Sequence, residues 1–386
     1  MKVYYWSPFI SYVATTSAVI NSIKSINKFS RGDIRCKIIN VFKEWDTFEE
    51  SLNDNNIELL DLKTSLNIKK LPKGNFIKSR LTYLITYLFS LFKLDSLLRK
   101  DKPNYLIIHL ITSIPLTLLI LFSYQTKFIL RISGYPKLNI FRRLIWKLVA
   151  KKIDKIFCPT LLTKELLIKK KIFAPEKIFV VKDPIIDVKK ICYKKKEKIE
   201  KEYDWIKNKK YIVSIGRLTK QKNFTFLIEN FTNLLKEYKD LYLVILGEGE
   251  EKHELQKLIR KKNIEAQVLL AGSKNNVYPF LLNSTFFILT SNWEDPGFVI
   301  IESMFARKIV FSSDCENGPK ELIQDGKNGF LYKNNNREDF NKKFIEIMNF
   351  LKTSEENKKK ILLRGLQSTK LFSLFNHYKD IHPHLK

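Results

Sequence analysis

The chain offers no metal or disulfide framework. Its four cysteines (Cys36, Cys158, Cys192 and Cys315) lie far apart, with no Cys-x-x-Cys pair and no Cys/His cluster. Neither a zinc site nor a disulfide scaffold is therefore expected, and thiols so thinly spread suit a reduced cytosolic compartment. Asp-x-Asp occurs nowhere, which removes the usual acidic anchor for a divalent cation bridging a diphosphate. No Walker lysine motif and no Gly-x-Gly-x-x-Gly are present, so the P-loop and the dinucleotide fingerprint are excluded. The opening "MKVYYWSPFI" has no apolar signal core followed by a small-residue cleavage site, and a cytoplasmic location is the expectation. No internal repeat of solenoid type is apparent.

What is present is a long, basic, apolar-rich chain. At 386 residues it is too long for one ordinary core, so two domains are expected. Hydrophobic residues make up 45% and charged residues 28%, a globular composition. The formal net charge is +29. Such a balance favours an anionic partner: nucleic acid, an anionic membrane face or phosphorylated ligands. The plainer reading is a lysine-rich, solvated surface. A nucleic-acid-binding protein has the charge in its favour but lacks any binding motif or basic-aromatic platform, so no nucleic-acid partner is expected. The longest uncharged stretch, "YLIIHLITSIPLTLLILFSYQT", starts at Tyr105 and has the length of a membrane span. His109 and Pro115 interrupt it. It reads as a buried strand, Tyr105 to Leu110, then a helix with Pro115 in its first turn. His109 is then a core or rim histidine at a strand end.

Strands and helices alternate through the first half. "KVYYW", "CKIINVF", "KFILRIS", "DKIFCPT" and "KIFVVKD" read as strands, and "TTSAVINSIKSI" and the basic amphipathic "IFRRLIWKLVAKKI" as helices. "RLTYLITYLFSLFKLDSLLRK" is apolar nearly all round. It fits either a core helix or one partly sunk in a membrane surface. The charged stretch from Asp187 to Lys210 reads as a linker and entry helix. The second half is cleaner. "YIVSIG", "LYLVILG", "QVLLAG", "TFFILTS" and "KIVFSS" are strands separated by helical segments, the first with Asn223 as its N-cap. This is the pattern of a doubly wound parallel sheet, whose ligands sit at the carboxyl ends of the strands.

The chemistry is therefore sought just after strands. "GRLTKQKN" places Gly216, Arg217 and Lys222 on one loop that feeds a helix, two cations suited to a diphosphate. "GEGEE" puts Gly247 at a strand-to-helix turn, where a glycine lets a ligand approach the backbone. "EDPGFVIIE" brackets an apolar run with Glu294 and Glu302. Asp295 reads as an N-cap and Pro296 as the first helical residue, in a helix running to about Arg307. Gly297, Phe298 and Val299 would then offer free first-turn N–H groups to a phosphate. Glu302 falls one turn on, where a carboxylate can accept from the vicinal hydroxyls of a ribose.

In order, "SIGRLTKQKNF", "LVILGEGEE", "SNWEDPGFVIIESM" and "SSDCENGPKELIQDGKNGFLY" resemble the retaining glycosyltransferases of family 4. The resemblance is specific over Tyr211 to Tyr332 and weaker elsewhere. It implies an α/β GT-B fold of two Rossmann-like domains facing each other across a cleft. Residues 1–190 would form an acceptor-binding domain and 191–365 a nucleotide-sugar-binding domain. Residues 366–386 would pack back on the first. The family's Glu-x7-Glu pair, which contacts donor sugar and ribose, carries over to Glu294 and Glu302. Its diphosphate-binding cations carry over to Arg217 and Lys222, and its glycine turns to Gly216, Gly247 and Gly297. Two departures stand out. "SPFISYVATT" replaces a Gly-Gly turn after the first strand, and "LRISGYPKLN" has Ser133-Gly134 where a histidine is common. The implied reaction is transfer with retention from a UDP-sugar donor, with no cofactor and no metal. The acceptor would be a lipid-linked saccharide or lipopolysaccharide precursor at the inner, anionic membrane face. A nucleotide-sugar epimerase on the same fold is the alternative.

Overall fold

The computed structural model describes every residue except 11–13, 65–66, 68–70, 72–75, 135 and 137. Parts of "SPFISYVATT" and of "SGYPKLN" thus lie outside the described residues. The chain divides into two compact units. Unit 1 comprises Met1–Ile185 with Leu374–Lys386, and unit 2 comprises Ile186–Ser373.

Unit 1 runs β1 (Lys2–Trp6), α1 (Ala14–Phe29), β2 (Arg35–Asn40), α2 (Glu49–Asn53), β3 (Glu58–Asp61), α3 (Phe76–Asp101), β4 (Tyr105–Ile108), α4 (Ser113–Leu121), β5 (Lys127–Arg131), α5 (Ile140–Val149), β6 (Lys155–Cys158), α6 (Leu161–Lys169) and β7 (Ile178–Val180). All seven strands are parallel, in the order β3-β2-β1-β4-β5-β6-β7. Central strands buried on both faces explain the continuous apolar runs: every residue of β4 is buried. The short β3, with its half-exposed "ELLD", has no such run, and the sequence reading missed it.

Unit 2 runs α7 (Val188–Lys194), β8 (Lys210–Ile215), α8 (Phe224–Leu234), β9 (Leu241–Leu246), α9 (Lys252–Lys261), β10 (Val268–Leu270), α10 (Tyr278–Asn283), β11 (Phe287–Leu289), α11 (Phe298–Phe305), β12 (Val310–Ser313), α12 (Pro319–Leu322), β13 (Phe330–Tyr332), α13 (Arg337–Phe350) and α14 (Glu355–Ser368). Its six parallel strands are ordered β10-β9-β8-β11-β12-β13. The order reverses between β8 and β11, so the loops after these two strands flank the crevice where such sheets bind ligands. A last helix, α15 (Leu374–Ile381), belongs to unit 1, where it packs on α1.

Two expectations need correction. The stretch from Asp187 to Lys210 is not a free linker. Ile191, Ile199 and Ile206 are buried despite the surrounding lysines. Tyr203 Oη donates to the Ala271 carbonyl at 3.2 Å, so the segment is a packed layer of unit 2. Asn223 occupies the N-cap position of α8 but in left-handed backbone, with no side-chain cap. Its amide bonds Asn292 and Asn335 instead, at 3.3 and 2.8 Å.

One buried ion pair in unit 1 is closely matched. Arg131, at the end of β5, reaches Asp183 at 2.6 Å and the Val181 carbonyl at 2.5 Å. The two side chains are 3% and 8% exposed, which makes each dependent on the other for charge compensation. Asp183→Ala should therefore cost about 3–5 kcal/mol of unfolding free energy. Urea unfolding followed by circular dichroism measures it, and a cost under about 1 kcal/mol would refute this account of the pair.

Candidate active site

Four elements of unit 2 converge at the switch point: the loops after β8, β9, β11 and β12. The first two meet backbone to backbone. Leu218 N donates to the Glu248 carbonyl at 2.9 Å, and Glu251 N donates to the Leu218 carbonyl at 3.0 Å. A Cβ on Gly247 would lie 1.9 Å from the Gly216 carbonyl oxygen, and its φ is +147°. Only glycine allows that approach. The loops after β8 and β11 are stitched just as closely. Asn292 N donates to the Gln221 carbonyl at 2.8 Å, and Thr290 Oγ1 to the Lys222 carbonyl at 3.1 Å.

At the centre stands a buried ion pair. Lys222 Nζ lies 2.5 Å from Glu294 Oε1, with side chains 14% and 4% exposed. Ser291 Oγ donates to the same oxygen at 2.5 Å. Among the described residues Oε2 accepts no hydrogen bond. Gly216 leaves room for the lysine stem: a Cβ there would stand 2.9 Å from Lys222 Cε. Gly297 lies over the Glu294 side chain, its Cβ position 3.7 Å from Glu294 Cβ. Gly216, Gly247, Lys222, Glu294 and Gly297 are thus brought together. Arg217 is exposed on the same loop, and among the described residues its side chain makes no ion pair or hydrogen bond.

The helix start differs from the expectation. Helix α11 begins at Phe298 and ends at Phe305, and its N-cap is Gly297 in left-handed backbone, φ +94°. Asp295 is not the cap and Pro296 is not helical. The reason lies in the next loop. Asn317 Nδ2 donates to Asp295 Oδ1 at 2.8 Å. Glu294 N bonds the Glu316 carbonyl, and a Cβ on Gly318 would fall 2.0 Å from the Pro296 carbonyl oxygen. The loop after β12 therefore claims Asp295 and Pro296, and the helix starts past them. The Asp295 carboxylate is engaged by an amide, and the first-turn N–H groups of Phe298 and Val299 remain as anion donors.

Glu302 sits in the second turn of α11, half-buried beside Lys194 and Tyr278. Burial pushes its carboxyl up to about 7, with Lys194 pulling it back down. Sequence reasoning missed Ser291, Asn317 and Lys194. The first two lie two residues after β11 and in an Asn-Gly pair, positions where a side chain bonds neighbouring loops. Lys194 had no signal, being one lysine in a run. Among the described residues no group of three or more His, Cys, Asp or Glu side chains is placed to hold a metal ion.

Residues 195–361 match the family model described as glycosyl transferases group 1. The chain is 31% identical over 247 residues to an uncharacterized glycosyltransferase of Methanocaldococcus jannaschii, covering 60% of this chain and 61% of that protein. It is 42% identical over 122 residues, 32% of this chain and 33% of the relative, to a Campylobacter jejuni enzyme. That enzyme is named N-acetylgalactosamine-N,N'-diacetylbacillosaminyl-diphospho-undecaprenol 4-alpha-N-acetylgalactosaminyltransferase. The chain thus spans less than two thirds of the length of either curated relative. Among solved structures, Anabaena HepE in complex with UDP and glucose superposes with a TM-score of 0.73 at 13% identity, over 100% of this chain and 99% of that one. The fold is GT-B, with both parallel sheets present.

The Glu302 environment sets a pH test. Its carboxyl holds its proton up to about 7 in the folded protein but titrates near 4.3 when unfolded. The folded state binds more protons between those values, so this group's contribution to stability falls as pH rises through the window. Glu302→Gln removes that loss. The variant should gain on the wild type as pH rises from about 4.3 to about 7, by thermal unfolding. A difference independent of pH would contradict it.

Proposed function

We propose that the protein is a retaining, metal-independent glycosyltransferase of family 4 that takes a UDP-sugar as donor. The observation that carries the reading is the buried Lys222–Glu294 pair at the switch point, beneath the start of α11 and beside the exposed cation Arg217. A diphosphate on this site would meet Arg217, the two remaining Lys222 protons and the N–H groups of Phe298 and Val299. Glu294 Oε2 is then left for the sugar hydroxyls, and Glu302 for the ribose. The acceptor oxygen bonds the anomeric carbon on the face from which the diphosphate departs, and a diphosphate oxygen takes the acceptor's proton. The protein's share is positioning and stabilisation of the leaving charge. That relatives carry glycosyltransferase names and that HepE holds UDP and glucose supports this reading.

The acceptor reading is a saccharide of bacterial polysaccharide or lipopolysaccharide assembly, carried at an anionic membrane surface. Helix α5 supports it. Ile140, Phe141, Leu144 and Leu148 are 84, 78, 56 and 57% exposed, on a helix that also carries Arg142, Arg143 and Lys147. An outward apolar face among cations suits an interface of acyl chains and acidic headgroups. Helix α3 adds Leu84, Leu88 and Phe92, all more than half exposed. The span Arg80–Asp101 is long and apolar enough to cross a membrane, yet a third of its apolar window is buried inside the protein. Leu91, Leu94 and Leu98 pack into the core of unit 1, which favours lying at the surface.

Two outcomes test these readings. Arg217→Ala should lower transfer from UDP-sugar by about 10²-fold with stability unchanged, and chelation by EDTA should leave the wild-type rate intact. Lys222→Ala should lose both activity and stability, because it strands buried Glu294. Lys222→Ala with Glu294→Gln should regain the stability but not the rate. A normal rate in Arg217→Ala, or a rate abolished by EDTA, would overturn the site. For the membrane, Leu144→Asp with Leu148→Asp should abolish flotation with phosphatidylglycerol vesicles. Wild-type protein that fails to float would refute the surface.

A further inference from the structure

Glu302, the second carboxylate of the candidate site, has no direct partner. Among the described residues its side chain makes no ion pair and no hydrogen bond. What surrounds it comes from the entry segment, which the donor reading leaves without a role.

Helix α7 is pinned to the face of α11 that carries Glu302. Lys195, just past the end of α7, donates from Nζ to the Phe305 carbonyl at 2.8 Å, and the same ammonium stands 4.7 Å from the Phe305 ring centroid. Phe305 is the last residue of α11, three positions after Glu302, so the two share a face. A cation is favoured there, at the negative end of the helix. The adjacent Lys194 reaches the loop before α10, where its Nζ donates to the Asn275 carbonyl at 2.9 Å. Asn276 ties that loop back, donating to the Lys194 carbonyl and to Glu197 Oε2, each at 2.8 Å. Its Oδ1 accepts from Tyr278 N at 3.1 Å, at the start of α10. Helices α7, α10 and α11 thus gather around one carboxyl group.

Within this enclosure compensation is scarce. Tyr278 Oη is sealed from solvent and makes no hydrogen bond among the described residues, so the phenol does not stabilise the acid. Helix α14, α12 and β12 also pack on α11, and no charge from them acts on Glu302. Lys194 is the one charged group that does, and it acts across space without touching the carboxylate. Lys194 itself faces Lys190 and Glu197 besides Glu302. Burial lifts the Glu302 carboxyl to about 7, and the lysine opposes that lift. The balance matters for the chemistry. An ionised carboxylate accepts from two neighbouring hydroxyls, whereas a protonated one spends an oxygen as a donor.

We propose that Lys194 is a positioning residue for the ribose of the donor, favouring from α7 the ionised Glu302 that accepts the two ribose hydroxyls. This deepens the donor reading and rests on it for the ribose. The lysine's hold on Glu302 belongs to the protein alone.

Two measurements test it. The first uses no donor. In thermal unfolding, the gain from Glu302→Gln should level off near pH 7 in the wild-type background and go on rising above it in a Lys194→Gln background. The glutamine keeps an N–H for the Asn275 carbonyl, so the brace survives while the charge is lost. Identical profiles in the two backgrounds overturn the proposal. The second is calorimetry with UDP-glucose, which lacks the titrating terminal phosphate of UDP. Lys194→Gln should weaken binding about fivefold at pH 7, the effect of a midpoint raised by about one unit. It should match the wild type by about pH 9, and Lys194→Arg should restore the wild-type profile. A lysine that only braced the loop would lose affinity equally at every pH, and that result, or no loss at all, overturns the proposal. A raised midpoint in Lys194→Gln with no UDP-glucose binding by the wild type overturns the donor reading and the ribose with it, and leaves the coupling of Lys194 to Glu302 standing.

Discussion

A buried lysine–glutamate pair organises unit 2. Glu294 is almost fully enclosed, and a carboxylate in that position is unfavourable without a partner. Lys222 comes from a different loop, so the pair locks the segments after β8 and β11 together at the sheet's reversal point. The neighbours then follow. Position 216 must be small, because the lysine stem occupies its side-chain space. Ser291 must donate to the oxygen that Lys222 shares. Side-chain amides and a hydroxyl, from Gln221, Asn223, Asn292 and Thr290, and the backbone bond from Asn292 N to the Gln221 carbonyl close the rest of the seam. Pre-paid order of this kind leaves little to reorganise when an anion arrives.

The parallel strands were legible because they are buried on both faces and read as unbroken apolar runs. β8 and β9 are the clearest, and each ends at a glycine turn. β3 and β13 were not legible. Each is a short edge strand, and "ELLD" looks like any polar stretch until a neighbour pairs with it. The residues of the candidate site were legible one by one: Arg217, Lys222, Glu294 and Glu302 all follow strands. Their partnership was not. Sequence order says nothing of a lysine 72 residues upstream bonding a glutamate. Likewise the Asp-Pro pair has every local mark of a helix start. The loop around Asn317 and Gly318 competes for it and wins, since an amide bond to Asp295 and a close backbone approach at Pro296 outweigh local preference.

Charge had two readings from composition, solvation or partnership, and the distribution separates them by place. Lys195 donates to the Phe305 carbonyl, and Lys274 sits between Glu200 and Glu202. These lysines hold the entry segment to unit 2, which is a structural use. On α5 the cations flank side chains that are more than half exposed and apolar. An ordinary amphipathic helix buries its apolar stripe. Here Trp146 and Val149 face the core while Ile140, Leu144 and Leu148 stay outside, so one helix has two apolar faces.

The two units use the same architectural device with opposite finish. Each sheet reverses its order once, and each reversal is framed by a loop and the start of a helix. In unit 2 the buried acid is satisfied by a lysine and a serine, so the site is electrostatically complete and presents further donors outward. In unit 1 Nδ1 of the buried His109 has no hydrogen-bond partner among the described residues, and the ring stacks on Tyr5 near Arg131 and His377. A satisfied group holds geometry, whereas an unsatisfied buried one costs free energy that neighbouring contacts must offset. The orphaned atom is sealed from solvent, so stacking on Tyr5 and the packing around the ring must offset its lost hydration, which makes this reversal point a place held by packing where the other is held by charge.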